Sequence, residues 1–230
     1  MKKVRRLLIL IPAYNEDVAL ADVLETIPKR LVGINQIEIL VVDDGSQDHT
    51  ANIAQKLGVH LVTHVINRGL GAALGTGFAY ARGQNFDFLV TFDADGQHLV
   101  SDITAVLGPL LTKSADVVIG SRSEDLVNMP LLRRFINWCS NIATWVLCGI
   151  WTTDSQSGLR AFNKKAINEI QIYTQGMEVS SEFFQEIRRL SLHFTEVPVH
   201  CIYTDYSLTK GQRLSNAPKV MGKLVLNKFY

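Results

Sequence analysis

The sequence predicts an α/β fold: one domain over residues 1–230, built on a mostly parallel sheet flanked by helices. Short apolar, β-branched runs at residues 5–11, 37–42, 59–65, 86–92 and 117–119 are bounded by turn residues. They lack strict alternation, as strands buried on both faces of a parallel sheet do. Amphipathic stretches of helical period lie between them, at 18–27, 50–57, 72–81 and 103–111. Strands joined through helices imply an open sheet with right-handed crossovers. No internal repeat, low-complexity tract or composition shift divides the chain.

Composition narrows the classes further. A chain of 230 residues buries a sizeable core without staples. With 47% hydrophobic and 20% charged residues, disorder, collagen and coiled coil are excluded. Lys plus Arg is 23 and Asp plus Glu is 22, a formal net charge of +1. That balance gives no global field for nucleic acid, so no nucleic-acid partner is expected and any anion site is local. Cys139, Cys148 and Cys201 show neither disulfide nor zinc spacing, which fits a reducing, cytoplasmic compartment.

Taken in order, the first strand is Leu7-Leu8-Ile9-Leu10-Ile11, too short for the apolar core of a signal peptide. It ends in Pro12-Ala13-Tyr14-Asn15-Glu16, where Asn15 suits a cap and Tyr14 suits packing. The absence of a Gly-rich loop here argues against a nucleotidyltransferase. The second strand ends in Asp43-Asp44-Gly45-Ser46, and Ser46 or Asp48 suits the cap of the helix through Thr50 and Ala54. The third runs into Asn67-Arg68-Gly69-Leu70-Gly71, whose glycines allow a tight turn but lack the spacing of a dinucleotide fingerprint. The fourth ends in Asp93-Ala94-Asp95-Gly96-Gln97-His98, and the fifth in Gly120-Ser121-Arg122.

In an open α/β sheet, ligands bind beyond the carboxyl ends of the strands, where these polar loops converge. In an extended segment, Asp93 and Asp95 share one side at roughly 6–7 Å between Cα atoms. That suits a divalent cation completed by substrate phosphate and water, as Mg²⁺ prefers. Capping of the helix near Ser101 is the plainer alternative. Asp44 suits hydrogen bonds from a base or ribose. His98 suits a surface or pocket-wall position, and Glu182 the first turn of a helix.

The blocks Ile11 to Glu16, Val41 to Ser46, Asn67 to Gly71, Asp93 to Gln97, Gly120 to Arg122 and Asp154-Ser155-Gln156-Ser157-Gly158-Leu159-Arg160-Ala161-Phe162 occur in this order. Together they resemble the family 2 glycosyltransferases with a GT-A fold, and within them the dolichyl-phosphate mannose synthase and polyprenyl-phosphate hexose transferase branch. The resemblance implies that Pro12, Tyr14 and Glu16 line a nucleotide pocket while Val42 and Asp44 read base and ribose. It implies that Asp93, Ala94, Asp95 and Gln97 hold Mg²⁺ or Mn²⁺ and the diphosphate of a UDP- or GDP-hexose. Asp93 and Asp95 would be the metal ligands. Arg122 would lie near the donor and acceptor phosphates, and Lys210 would contact the diphosphate. Thr204 stands where the family often has an arginine, and Arg213 is a possible substitute.

The resemblance further implies a single inverting displacement, with Asp95, Arg122 and Asp154 as the catalytic set. Growing negative charge on the leaving nucleotide must be met by the ion and fixed cations. A lipid phosphate acceptor is already ionised near neutral pH. A sugar hydroxyl, as in cell-surface polysaccharide synthesis, needs a base, for which Asp154 is the candidate. Asp154 as a loop cap or an ion pair with Arg160 is equally open. A non-catalytic sugar-nucleotide-binding subunit is a third alternative.

Trp138, Trp145 and Trp151 all fall in the predicted helix at 131–151. Its polar residues Arg133, Asn137, Ser140, Asn141 and Thr144 recur at helical spacing opposite a broad apolar face. It is too polar and short to span a bilayer. Tryptophans beside Arg133 and Arg134 suit a helix in the headgroup zone, and a core helix packed on the sheet is the alternative. The expectation is therefore a protein peripheral on the cytoplasmic face of a membrane. The basic segment at 213–228 suits acidic headgroups or a membrane partner protein.

Overall fold

A computed structural model describes residues 4–122 and 131–202, the side chains of residues 131–133 excepted. Its centre is a seven-stranded sheet of order β3-β2-β1-β4-β6-β5-β7. The strands are β1 (Arg6–Ala13), β2 (Gln36–Asp43), β3 (His60–Thr63), β4 (Phe88–Thr91), β5 (Val117–Ser121), β6 (Arg160–Asn163) and β7 (Phe194–Pro198). β1 is the middle strand of the parallel half. Leu7 pairs with Ile37 of β2 on one side and with Phe88 of β4 on the other. All five residues of its apolar run are fully buried, as a strand covered on both faces requires.

Alternation along β1 divides the core into two layers. Leu7, Ile9 and Ile11 pack with Leu20 and Val23 of α1 (Leu20–Thr26) and with Ile103 and Val106 of α4 (Ser101–Leu111). Leu8 and Leu10 face the opposite layer, with Phe78 of α3 (Leu70–Gly83) and Phe183 and Phe184 of α7 (Val179–Arg189). Gly77 lets α3 lie close: a Cβ there would run into the Leu10 side chain. The remaining helices are α2 (Thr50–Lys56), α5 (Leu131–Cys148) and α6 (Lys164–Glu169).

The five predicted strands are present, and the predicted helices agree within a few residues at each end. Two strands were not foreseen. β6 runs antiparallel between β4 and β5, and β7 extends the sheet beyond β5. β6 carries the end of the Asp154–Phe162 motif into the sheet. It thereby fixes the loop before it beside the carboxyl ends of β4 and β5.

α5 does not pack its apolar side on the sheet. Asn137, Asn141 and Thr144 are buried, whereas Phe135, Trp138, Trp145 and Val146 are exposed. Trp151, just beyond its end, is exposed too and stacks edge-on against Trp145. The usual amphipathic arrangement of a globular-protein helix is thus inverted. Among the described residues, no helix is long and apolar enough to cross a membrane.

Candidate active site

The loops after β1, β2, β3, β4 and β5 gather at one edge of the sheet. Their side chains lace them together. Ser46 Oγ accepts from Asn15 N at 2.9 Å, and Asn15 Oδ1 accepts from Gln47 N at 2.9 Å. Thr50 Oγ1 accepts from Glu16 N at 2.8 Å. The N-cap of α2 is His49, which makes no side-chain cap bond; Asp48 accepts from Thr50 N at 2.9 Å just before the helix, while Ser46 ties the two loops. Asn15 adopts a left-handed φ of 54°, which asparagine tolerates. Gly45, at φ 75°, lies so close to the loop after β3 that a Cβ would come within 2.6 Å of Ile66 C. Together these loops form a cleft of about 470 Å³ lined by Tyr14, Ser46, Gln47, His64, Val65 and Asn67, among others.

Asp44 lies beneath this cleft and is buried. Its Oδ1 lies 2.6 Å from His64 Nδ1 and accepts from Arg68 N at 3.0 Å. Its Oδ2 accepts from Gly69 N at 2.6 Å. His64 Nε2 in turn lies 2.9 Å from Thr76 Oγ1. Asp44 thus moulds the loop after β3 into the cleft wall. Val42 is fully buried in the core layer with Leu40 and does not line the cleft. Gly69 and Gly71 leave room for the backbone of Thr174 and Gln175, which crosses the start of α3. That crossing segment is pinned by Glu182, which accepts from Tyr173 N at 2.7 Å and from Thr174 N and Oγ1.

The Asp93-Ala94-Asp95 turn follows β4. Burial, and next the charge of Asp93, push the Asp95 carboxyl up to about 6; Glu16 adds to this. Burial opposes ionisation of Asp93 as well. His98, Arg122 and Arg160 outweigh it and hold that carboxyl below its ordinary value. His98 is not on the surface: it is buried, with Nε2 3.3 Å from Asp93 Oδ2. Gly158 abuts the same carboxylate, and a Cβ there would overlap its oxygens. Ala94 is buried in the core, and Asp95 Oδ1 accepts from Gln97 N at 3.1 Å. The Gln97 side chain is buried and accepts from Cys201 Sγ.

Burial and the charge of Asp93 disfavour the ionised form of Asp95, so the Asp95 side of this turn is short of positive charge. A divalent cation fits that deficit. Among the described residues, no cluster of three or more His, Cys, Asp or Glu side chains could cage a metal alone. An ion on Asp93 and Asp95 would therefore keep positions open for phosphate oxygens and water, which suits Mg²⁺ or Mn²⁺.

Within electrostatic reach of Asp93, Arg122 pairs with Asp154. Arg122 Nε donates to Oδ2 at 2.6 Å, Nη2 to Oδ1 at 2.8 Å, and the Arg122 backbone N to Oδ2 at 3.1 Å. Asp154 is fully buried. Its bidentate partner is Arg122, not Arg160. Arg160 instead donates to the carbonyls of Ser155 and Ser157, each at 2.9 Å, with its guanidinium 4.7 Å from the Phe183 ring centre. Burial lowers its pKa to about 10, still charged at neutral pH. Sequence reasoning missed His64, Asn141 and Glu196 as parts of this edge. No motif marks them, and only the fold brings them to it. Lys210, Thr204 and Arg213 lie outside the described residues.

The sequence profile described as Glycosyl transferase family 2 matches residues 8–171. The chain belongs to glycosyltransferase family 2. This glycosyltransferase is 40% identical over 227 residues to an uncharacterised protein of Methanocaldococcus jannaschii, covering 96% of this chain and 92% of the relative. It is 34% identical to the UDP-N-acetylglucosamine–dolichyl-phosphate N-acetylglucosaminyltransferase of Methanococcus voltae, covering 96% and 95%. It is 31% identical to the undecaprenyl-phosphate mannosyltransferase of Micrococcus luteus, covering 84% and 82%. Glucosyl-3-phosphoglycerate synthase of Mycobacterium tuberculosis, solved with Mn²⁺ and UDP-glucose, superposes with a TM-score of 0.69 at 20% identity. It covers 96% of this glycosyltransferase and 77% of that chain, and supports the GT-A fold.

Proposed function

We propose that this glycosyltransferase moves a hexose from a UDP- or GDP-hexose to a polyprenyl phosphate at a membrane surface, by one inverting displacement. The observation that carries the acceptor reading is the inverted helix α5. Its exposed aromatic face is rimmed by Arg134 and carries no acidic residue, which complements an anionic lipid surface. Its polar face holds the loop of Asp154, for Asn141 Nδ2 donates to Thr153 O at 2.7 Å. A lipid phosphate in the headgroup layer would thus lie beside Arg122. The relatives named for dolichyl-phosphate and undecaprenyl-phosphate transfer support the same class of acceptor.

In this reading the cleft at Tyr14 takes the base, with Pro12 and Glu16 beside it and Asp44 holding its wall. Asp93 and Asp95 would hold the divalent ion, which would supply positive charge to the departing diphosphate. Ala94 and Gln97 set the turn that presents these carboxylates. Arg122, oriented by Asp154, faces the phosphates from the other side. The acceptor phosphate oxygen attacks the anomeric carbon as the bond to the nucleotide diphosphate breaks on the opposite face. A phosphate monoester is largely ionised at neutral pH, so no side chain takes a proton. Asp154, buried and bonded to Arg122, then serves as an orienting group. Lys210 completes the set as a diphosphate contact.

The test is transfer of radiolabelled hexose from a panel of UDP- and GDP-sugars, with Mg²⁺ or Mn²⁺, to a short polyprenyl phosphate. Product that requires the ion and survives in the organic phase supports the reading. Transfer to a water-soluble sugar alone, with none to the lipid, refutes it.

A further inference from the structure

The backbone on both sides of Asp154 is held by side chains from two distant elements. From β7, Glu196 accepts from Thr152 Oγ1 at 2.5 Å, from Thr153 N at 2.9 Å and from Thr153 Oγ1 at 3.0 Å. From α5, Asn141 donates to Thr153 O at 2.7 Å and accepts from Ser155 N at 2.9 Å. Thr152 Oγ1 also accepts from Asp154 N at 3.3 Å. Thr153 Oγ1 lies 2.7 Å from Ser121 Oγ, at the end of β5 beside Arg122. Thr152 Oγ1, the Thr153 N–H, carbonyl and hydroxyl, and Ser155 N thus converge on one carboxylate and one amide. Neither belongs to the motifs that carry the family likeness.

We propose that Glu196 and Asn141 are positioning residues for the transfer, setting the direction of the Arg122 guanidinium through Asp154. The inference rests on the role proposed above for Arg122 at the phosphates. The geometry gives it a physical basis. Asp154 grips Arg122 with both oxygens, so the guanidinium plane follows the Asp154 side chain. That side chain can only be as fixed as its backbone, and the backbone here is a loop rather than a strand or helix. Glu196 fastens it to the sheet edge that also bears Ser121, while Asn141 fastens it to α5. A misplacement near 1 Å at a phosphate-facing cation is costly to a reaction that relies on preorganised charge. Asn141 also shares its helix with Trp138 and Trp145, so the loop is tied to the element that faces the lipid.

Two measurements test this. The Arg122 Nε–H signal in arginine-labelled protein, assigned by its loss in Arg122→Lys, reports the grip of Asp154 directly. In Glu196→Ala and Asn141→Ala it should broaden or shift. In Glu196→Gln, which keeps an acceptor for Thr153 N, it should largely recover. In transfer assays, both alanine variants should lower kcat by about 10–100-fold, with KM for the nucleotide sugar and UDP affinity within about twofold of wild type. In an Arg122→Ala background, Glu196→Ala should cost no more than about twofold further, because both changes act on one group. An unmoved Arg122 signal, or costs that multiply in the Arg122→Ala background, would overturn the proposal. Should the wild type fail to glycosylate polyprenyl phosphate, the acceptor reading falls, while the Arg122 signal still decides whether Glu196 and Asn141 set this side chain.

Discussion

Replacing Asp95 by asparagine should stabilise the metal-free protein while abolishing its response to metal and nucleotide. Burial and the neighbouring Asp93 raise the Asp95 carboxyl from 3.8 to about 6 in the fold. A raised carboxylate pKa means that the ionised form is disfavoured in the folded state. The penalty is therefore absent at low pH, grows as pH rises past the unfolded value, and is complete above the folded one. A rise of this size corresponds to about 3 kcal/mol above pH 7, an upper figure because solvent reaches part of the side chain. At pH 4.5 the same arithmetic leaves about a third of it. Asparagine keeps an oxygen for Gln97 N without the charge. In EDTA, Asp95→Asn should melt several degrees above wild type at pH 8, with most of the gap closing by pH 4.5. With Mn²⁺ and UDP the order should reverse, because only the wild type gains from binding. Equal melting in EDTA at pH 8, or a gap that ignores pH, would refute the charge argument. An Asp95→Asn variant stabilised by Mn²⁺ and UDP as strongly as wild type would refute the metal role.

Three further outcomes follow from the same geometry. Gly158→Ala puts a methyl group into the Asp93 carboxylate, so Mn²⁺-dependent UDP affinity measured calorimetrically should fall at least tenfold. Asp154→Asn leaves Arg122 without its buried counter-charge. It should lower thermal stability by about 3 kcal/mol as well as transfer, whereas a pure general base would affect turnover alone. Trp138 and Trp145 are 55% and 52% exposed, so about 100 Å² of each ring remains to be covered, worth about 2–3 kcal/mol apiece. Replacing both by serine should therefore abolish flotation with anionic liposomes while leaving UDP affinity intact.

Much of this was legible in the sequence because the parallel half of the sheet writes itself plainly. Leu7 to Ile11 is apolar at every position, and four of the six motifs fall where a strand of that half ends. β6 and β7 were not legible. Arg160–Asn163 is four residues long with a charged first position, and it is buried only because β4 and β5 leave a gap for it. Phe194–Pro198 alternates weakly and ends in proline, so it reads as a loop. The helix at α5 was visible from its period, but the sequence left its apolar face free to point either way. Burial of Asn137, Asn141 and Thr144 decides that. Partner choice among charges was likewise hidden: Asp154, in the loop before β6, meets Arg122 at the end of the neighbouring β5, though Arg160 is nearer in sequence. Asp44 suits a ribose contact by its position after β2, yet its oxygens serve His64, Arg68 and Gly69, which only the fold brings within reach.

The central claim, hexose transfer to a membrane-borne polyprenyl phosphate at an ion held by Asp93 and Asp95, is tested most directly in one reconstituted assay. The wild type and Asp95→Asn are incubated with anionic liposomes containing polyprenyl phosphate, a labelled nucleotide hexose and Mn²⁺, with a water-soluble sugar acceptor in parallel. The account predicts labelled polyprenyl-phosphate hexose of inverted anomeric configuration from the wild type, none from Asp95→Asn, and none on the soluble sugar. Label on the soluble sugar with none in the lipid, or lipid product undiminished in Asp95→Asn, would contradict it.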